Sequence, residues 1–479
     1  MIYLGLAIFF PIVMGIILLL LKEIKNRKTL CSVMGAVLFL EFIFSFLAFV
    51  ITRNCSYTLF NLTKLFTIEF KVDNISLVFA ALIVIAMTLA GIFSFEYMKH
   101  ESNEKRFYAF YLMSYGVLVA LAAAGNLVTY YAFFELLTAA SFALVMHTET
   151  REAIMAGLKY LMYSFCGAYL VVFGFYFTAK YSETLSFTDG GVFTEAALST
   201  NRMMLLISVF CMIVGFSVKA GMFPLHAWLP TAHPVAPAPA SAVLSGVIAK
   251  AGVLGVIRTV FYIFGADFVR GTWVQTAWIT LTLITVFMGS MLAYTEDVMK
   301  KRFAYSTVSQ ISYILFGLAM LNSTSFTGSL IHVLAHGFIK VMLFLIAGAI
   351  IYKTGKTKVS ELRGIGKEMP VTIWCFIIAS LGLIGIPPTG GFISKWYLAT
   401  GSLSSGVPVF DVLGPVVLLV SALLTAGYLL PIAINGFLPG DDFDYSKLES
   451  KEPSKLMTVP LVIMAALIVI IGVFVNVVV

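Results

Sequence analysis

The sequence contains little charge and no extended polar region. Of its 479 residues only 11% are charged and 60% are hydrophobic, whereas soluble domains carry about 25% charged residues. So apolar a chain would not stay dissolved in water, and no polar stretch is long enough to form a separate soluble domain. We therefore predict one all-α integral membrane domain over residues 1–479, located in the cell (inner or plasma) membrane, with the lipid bilayer as its surroundings.

Clustered metal ligands and nucleotide-binding loops are also lacking. The five cysteines are scattered and none lies in a CxxC pair, so iron–sulfur or zinc ligation is not indicated. We predict no cofactor, no metal and no redox or hydrolytic site in this chain, which leaves open whether it belongs to an enzyme complex. The formal net charge of +7 does not indicate nucleic acid, because the basic residues lie in short loops between apolar runs.

Apolar runs long enough to cross a ~30 Å hydrocarbon core as helices recur from end to end. We predict about fourteen transmembrane helices, at 2–21, 30–52, 74–98, 107–124, 126–147, 155–180, 203–229, 238–263, 272–294, 302–321, 326–352, 370–400, 410–435 and 457–479. The first run lacks a preceding basic residue and a following small-residue cleavage site, so we interpret it as a retained helix and not as a signal peptide.

The basic residues are distributed unevenly over the predicted loops. With the N-terminus outside, 19 of the 31 Lys and Arg residues fall in inside loops, 6 in outside loops and 6 within spans. Inside loops of membrane proteins carry the excess of Lys and Arg. The bias supports both the number of spans and a multi-pass topology with both termini on the outside face.

Two spans are interrupted by proline and glycine. The stretch from Lys219 to Gly252 holds five of the fifteen prolines, and Pro224 must break or end the seventh span because proline removes a helical hydrogen bond. The stretch IGIPPTGGFISK, 384–395, interrupts the twelfth span. Broken helices of this kind mark ion sites in transporters. Since five helices separate the breaks, we predict two inverted five-helix repeats, helices 4–8 (about 107–263) and helices 9–13 (about 272–435).

Four lysines have apolar sequence on both sides and cannot easily reach the membrane surface: Lys219, Lys250, Lys340 and Lys395. A charge at the centre of a span costs about 2.5–3.5 kcal/mol, so such residues are usually functional. His332 and His336 share one helix face with Lys340, at i, i+4 and i+8, over about 12 Å. We predict a proton relay along this face, and disfavour a metal site because no carboxylate lies in the same helix.

Glu135 is the acidic residue that we place on the path, with Lys219 as its partner. At ~7 Å and an effective dielectric of ~20, the attraction between the two charges is about 2.4 kcal/mol. Forming or breaking the pair would therefore switch Lys219 between holding and losing a proton. Glu41, the other acid within a span, is interpreted as peripheral or structural.

Four further residues lie at the margins of the path. His226 and His233 fall within the first break, and Lys159 lies about one turn inside its span. These three are additional candidates for proton transfer. Arg258 is near enough to a helix end that we expect its long side chain to extend to the interface.

These motifs resemble a known family. The segments KAGMFPLHAWLPTAHPVAPAPASAVLSG, KKRFAYSTVSQISYI, HVLAHGFIKVMLFLIAG and LIGIPPTGGFISKW are similar to the antiporter-like membrane subunits of Mrp-type Na+/H+ antiporters, membrane-bound energy-converting hydrogenases and respiratory complex I. The resemblance implies a fourteen-helix fold with two inverted repeats.

The same resemblance implies roles for particular residues. Glu135 and Lys219 match the family's glutamate–lysine pair, Lys250 the central lysine and Lys395 the terminal one, while His332, His336 and Lys340 match the polar residues of the eleventh helix. Lys395 and the LRGIGKEMPVT loop look most like the D-type component of Mrp antiporters or its hydrogenase counterpart.

The leading hypothesis is therefore a subunit that moves protons, with Na+ as a second candidate ion, within a larger membrane complex. Its partners would be other membrane subunits of a hydrogenase, an Mrp antiporter or a complex I-like assembly. A stand-alone secondary transporter that binds a small solute at the two helix breaks is the alternative, and an inactive scaffold subunit is a third. A succession of lysines in different helices favours proton transfer over one compact substrate pocket.

Overall fold

The computed structural model describes residues 2–22, 26–53, 55–440, 443–444 and 449–475. Lys25, Lys447 and positions 476–479, which the sequence assigns to inside loops and to the end of the last span, lie outside the described residues. Among these described residues, eleven helices are long and apolar enough to cross a membrane, and Pro370–Ile384 is a shorter apolar helix. The prediction of a mostly helical, multi-span membrane protein is confirmed.

Up to residue 220, the described part of the chain contains eight α-helices and one β-hairpin. The helices are α1 Ile2–Leu20, α2 Arg27–Ile51, α3 Asn74–Tyr97, α4 Glu104–Ala122, α5 Leu127–Val145, α6 Arg151–Tyr181, α7 Glu195–Thr200 and α8 Arg202–Ala220. Between α2 and α3, strands β1 Ser56–Asn61 and β2 Thr67–Lys71 pair antiparallel, with Ser56 opposite Lys71.

From residue 221 onward, the described residues form twelve α-helices. They are α9 Leu229–Val235, α10 Ala238–Val243, α11 Ala249–Ile257, α12 Ala266–Val269, α13 Trp273–Thr295, α14 Met299–Ala319, α15 Ser323–Thr354, α16 Ile365–Glu368, α17 Pro370–Ile384, α18 Gly390–Leu403, α19 Phe410–Phe437 and α20 Lys455–Val473. Two π-helical segments, Leu244–Ile248 and Arg258–Phe264, precede and follow α11.

Polar residues at the helix N-termini explain where several spans begin. The side chain of Asn126 accepts a hydrogen bond from the backbone N–H of Thr129, and Thr150 accepts one from Ala153. Asn322 does the same for α15. Such caps satisfy backbone donors that have no partner within the helix. Short loops with Asn or Thr can therefore end one apolar helix and start the next.

Both predicted interruptions are present. Helix α8 ends at Gly221, whose φ of +80° favours glycine, and the chain turns through 221–228 before α9. Helix α17 ends at Gly385, with φ of +93°, and α18 starts at Gly390. Glycine in the left-handed region commonly ends helices. Each of these two predicted spans is thus divided into two helices at the place where proline and glycine cluster.

Helix α15 is the centre of the molecule. Nearly all of its residues from Gly328 to Ile350 are buried. Helices α3, α10, α14, α17, α18 and α20 pack around it. Close approach depends on small residues: a Cβ at Gly246 would lie 2.2 Å from Val341 and 2.9 Å from the Gly337 carbonyl. The π-helical segment before α11 therefore lies directly against α15, at the residues that follow His336 and Lys340.

Candidate functional site

Three titratable side chains of α15 line up in the buried centre. The rings of His332 and His336 stack with centroids 5.6 Å apart and an interplanar angle of 5°. One turn further, the Lys340 ammonium donates hydrogen bonds to the Ser306 hydroxyl at 2.7 Å and to the Phe303 carbonyl at 3.2 Å. The spacing predicted from the sequence thus places all three on one continuous stripe.

Lys250 is held beside this stripe by the π-helical segment. Its ammonium donates to the Ser245 carbonyl at 2.7 Å, and the Ser245 hydroxyl is 2.7 Å from that of Thr307 in α14. A π-helical turn leaves backbone carbonyls without their usual helical partners. Lys250 is close enough to Lys340 and His336 to act on both electrostatically.

Lys219 lies at the last turn of α8, before the first break. Its ammonium donates to the Thr138 hydroxyl of α5 at 2.7 Å and lies 4.4 Å from the centroid of the Phe134 ring. Cation–π contacts of this kind stabilise a desolvated cation. Helix α11 packs closely against the last turns of α8. A Cβ at Gly252 would lie 2.4 Å from the Phe216 carbonyl, so only glycine allows this approach.

Glu135 lies near Lys219 but does not contact it. The two groups interact electrostatically, yet among the described residues no ion pair joins them, and Glu135 Oε1 has no hydrogen-bond partner. Glu135 is also only partly buried, whereas Lys219 is 2% exposed. Glu135 and Lys219 are therefore close to each other, as expected. A direct ion pair between them would require one of the two side chains to move.

Lys395 lies at the second break. Its ammonium donates to the carbonyls of Leu383 and Ile384 at 2.6 and 3.1 Å, which are carbonyls at the C-terminus of α17. It also lies 4.9 Å from the centroid of the Tyr313 ring, and Tyr313 stacks on His332 at 5.7 Å. Tyr313 therefore connects Lys395 to the histidine stripe.

Several buried polar atoms near the stripe have no partner within the described protein. They include both ring nitrogens of His336, Nε2 of His332, and both amide atoms of Gln310. Unpaired buried polar atoms cost about 1–3 kcal/mol each, and in proteins they usually bind ordered water. Their position beside titratable groups indicates a polar interior at this point of the protein.

The three additional candidates have different environments. Lys159, partly exposed, donates to the Thr231 hydroxyl at 2.9 Å. His226 is half-buried beside Phe223. His233 is fully buried, its ring stacks on Phe344 at 4.4 Å, and neither ring nitrogen has a partner in the described protein. Only His233 therefore shares the interior of the stripe.

One expectation for a basic residue is wrong. Arg258 does not extend to the interface: it is 1% exposed and pairs with Asp73 at the start of α3, donating also to the Ser76 hydroxyl at 3.2 Å. Burial acts to raise the pKa of Asp73, but hydrogen bonds and charge from Arg258 outweigh it and lower that pKa below its ordinary value. The partner is 185 residues away in sequence, so the sequence alone did not reveal it.

Sequence reasoning also missed Lys300, which it placed in a loop with Lys301 and Arg302. The structure puts Lys300 in the first turn of α14, 6% exposed, with its ammonium donating to the Ala236 carbonyl at 2.8 Å. Lys301 instead forms a surface pair with Glu296 at 2.7 Å. The signal that could have revealed the difference is helical phase, since adjacent helix residues point about 100° apart.

Glu41 is fully buried in α2. Its Oε1 accepts a hydrogen bond from the Ser45 hydroxyl at 2.7 Å, and Oε2 has no partner in the described part of the chain. It lies on a different helix from every residue of the stripe. No group of three or more His, Cys, Asp or Glu residues that could hold a metal ion occurs among the described residues.

Two family models match parts of this chain. Residues 124–436 match the family model described as NADH:quinone oxidoreductase/Mrp antiporter, transmembrane, and residues 63–108 match that of the N-terminus of complex I chain 5. The chain belongs to this antiporter-like family. The matched range includes all seven principal candidates, from Glu135 to Lys395.

Alignments with two relatives extend over most of this antiporter-like chain. The N-type component of NADH-quinone oxidoreductase from Desulforudis audaxviator is 33% identical over 379 residues, 77% of this chain and 74% of the relative. The D-type component of the Na+/H+ antiporter from Alkalihalophilus pseudofirmus is 28% identical over 82% of this chain and 78% of the relative. The resemblance inferred from the motifs is confirmed.

Two solved structures share the fold. A chain of the Mrp complex from Dietzia sp. DQ12-45-1b superposes with a TM-score of 0.85, covering 99% of this chain and 94% of that chain at 18% identity. A chain of the archaeal membrane-bound sulfane sulfur reductase gives 0.84, covering 98% and 76%, at 26% identity. This antiporter-like subunit is therefore similar to components of multisubunit membrane complexes, which favours the leading hypothesis over a stand-alone solute transporter.

Proposed function

We propose that this subunit moves protons across the membrane along a file of seven residues, within a complex of several membrane subunits. The members of the file are Glu135, Lys219, Lys250, His332, His336, Lys340 and Lys395. The observation that carries the proposal is the bonding of the lysines. Each one donates to hydroxyl or backbone carbonyl oxygens and none pairs directly with a carboxylate among the described residues.

That bonding matters for proton release. A buried carboxylate partner holds a lysine in its charged form. When a buried lysine is bound only to neutral oxygens, desolvation destabilises that charged form. Such a lysine can lose its proton when a neighbouring charge appears. Because Lys250 and Lys340 act on each other, we propose that their titrations are coupled and that a proton on one favours release from the other.

The proposed path has two ends. Glu135 and Lys219 lie at the first break, and a displacement that brings them into contact would favour the charged lysine. Lys395 lies at the second break, connected through Tyr313 to the histidines. The stacked histidine rings and the partner-free nitrogens of His336 supply positions where protons can pass between the breaks, through water that such polar interiors hold.

We further propose the finer topology. The described residues form helices within each of the fourteen predicted spans, which supports fourteen crossings, and the basic-residue bias supports both termini outside. The two breaks, five spans apart, support inverted repeats at about 107–263 and 272–435. Attachment of a cysteine-directed, membrane-impermeant reagent to single cysteines placed in the loops would test the orientation.

Proton transfer is favoured over sodium transfer through this chain. Sodium sites need several oxygen ligands around one point, and the buried charged groups here are predominantly cationic. The names of the relatives include components of Na+/H+ antiporters, so sodium could cross elsewhere in the parent complex. Its remaining subunits would be those of an Mrp-like, complex I-like or hydrogenase-like assembly.

The test is Lys219→Met in the native complex, reconstituted into vesicles that contain a pH-sensitive dye. A potassium diffusion potential drives proton movement without knowledge of the natural energy source. We expect at least a tenfold loss of proton flux with normal assembly. Lys180→Met is the matched control, because Lys180 is a surface lysine at the end of α6 that lies over the Tyr181 ring. Wild-type flux in Lys219→Met would refute the proposed path.

A further inference from the structure

Lys300 differs from its neighbour Lys301 although both begin the same helix. Lys301 pairs with Glu296 at the surface. Lys300 is buried, and its one described hydrogen bond goes to the Ala236 carbonyl, at the break between α9 and α10. A buried ammonium bound only to a carbonyl is in the same chemical state as the lysines of the proposed file.

The segment that Lys300 contacts carries His233. This histidine is three residues before Ala236, is fully buried, and has two ring nitrogens without a described protein partner. The cations close enough to act on its ring are Lys300, Lys340 and Lys250. His233 is thus within electrostatic range both of Lys300 and of two members of the file.

Lys300 also interacts electrostatically with Glu101, in the loop between α3 and α4. Glu101 is partly buried, receives a hydrogen bond from the Tyr97 hydroxyl, and interacts with the charges of Lys300 and His100. Burial raises the pKa of the Glu101 carboxyl, and the Lys300 ammonium acts in the opposite direction. Glu101 belongs to a face for which the basic-residue bias predicts the inside of the cell.

We propose that Glu101, Lys300 and His233 form a proton-exchange branch that connects this loop face to Lys340 and Lys250. The inference rests on the proposed function of the file. It adds three residues, of which only His233 was a candidate from the sequence, and it assigns the place where protons enter or leave the file on the side of the α3–α4 loop.

The steps balance without another reactant. Lys300 in its ammonium form gives a proton to a nitrogen of His233 and becomes a neutral amine. The Glu101 carboxyl then gives its proton to that amine and becomes a carboxylate, which takes a proton from bulk water. His233 passes its own proton on towards Lys340, so one proton is transferred per passage and every group returns to its starting state. Tyr97 and His100 act on Glu101, and Lys250 and Lys340 act on His233. Lys301 and Arg302 follow Lys300 in α14 and act on Glu296.

A structural role for Lys300 makes a different prediction, and arginine separates the two. Arginine keeps the positive charge and can donate to the Ala236 carbonyl, but it does not release its proton in proteins. If Lys300 only ties α14 to the break, Lys300→Arg retains transport. If Lys300 transfers protons, Lys300→Arg assembles normally and loses transport.

The experiment uses the complete complex in the vesicle assay driven by a potassium diffusion potential. We expect proton flux in Lys300→Arg at least tenfold below wild type, with unchanged flux in the matched control Lys301→Arg. Glu101→Gln should lower flux severalfold and flatten its dependence on the pH of the loop side. Should Lys300→Arg fail to assemble, His233→Gln takes its place, with the same tenfold loss expected.

The outcomes separate this inference from the proposed function. Flux within twofold of wild type in assembled Lys300→Arg or His233→Gln, together with loss in Lys219→Met, overturns the branch and leaves the file intact. Wild-type flux in all of these variants overturns both.

Discussion

The buried pair between Arg258 and Asp73 offers a quantitative test of the fold. Arg258 follows α11 in a π-helical segment, and its guanidinium donates to both carboxylate oxygens of Asp73, at 2.9 Å for the Nη2–Oδ1 bond. The ring centroids of Tyr262 and Phe187 lie 4.7 and 5.0 Å from it. The perturbation is Asp73→Asn, which removes the negative charge and keeps the shape.

The magnitude follows from burial. With Arg258 only 1% exposed, removing its partner leaves an uncompensated charge in a low-dielectric site, at a cost of about 3–5 kcal/mol. Replacing both residues, in Asp73→Asn with Arg258→Met, removes the charge altogether and should cost less than Asp73→Asn alone. Additive effects would be expected only for sites that do not interact.

The assay is thermal unfolding of the purified complex in detergent, followed by the loss of monodisperse protein. We expect Asp73→Asn to be clearly destabilised and the double variant to recover part of the loss. Arg53→Met serves as the control, since Arg53 is exposed and donates to Asn74 next to Asp73. Equal stability of Asp73→Asn and wild type would refute the account of a desolvated pair that joins α3 to the end of α11.

Two further predictions concern the loops and the second break. His147 is buried after α5, with Nε2 2.9 Å from the Ser102 carbonyl; burial and then the Arg106 charge lower its pKa to about 4. Between pH ~6.5 and ~4, His147 binds more protons in the unfolded chain than in the folded one. The free energy of unfolding should therefore fall by up to about 3 kcal/mol as the pH drops through that window, which thermal unfolding would measure. His147→Gln should remove this dependence. At the second break a Cβ on Gly391 would lie 1.8 Å from the Gly382 carbonyl, so Gly391→Ala should separate α17 from α18 and reduce assembled complex severalfold on native gels; Gly5→Ala, where the Cβ meets open space, should not.

The sequence predicted a mostly helical, multi-span membrane protein correctly because a helix in lipid must be long and apolar. The two interruptions could also be predicted from the sequence, since proline and glycine act on the backbone of their own segment. The stripe of His332, His336 and Lys340 followed from helical spacing alone. These features depend on local chemistry, and all of them are present in the structure.

Features that depend on distant contacts could not be predicted in the same way. The burial of Lys300 depends on a carbonyl 64 residues away, and the run KKR looked like a polar loop. Arg258 was expected at the interface because Asp73 could not be recognised as its partner. The Glu135–Lys219 pair was predicted from the need of a buried carboxylate for a cation and from the family resemblance, but the side-chain directions that keep the two apart depend on the packing of α5 against α8.

The central claim is that protons pass along the buried lysines, and Lys250→Met tests it most directly. Lys250 is 1% exposed, lies between the first break and the α15 stripe, and has only the Ser245 carbonyl as a described hydrogen-bond acceptor. Methionine keeps the length and removes the titratable group, with little cost to packing. In the assembled complex in vesicles, we expect proton flux to fall at least tenfold. Flux equal to wild type, with assembly intact, would contradict the account.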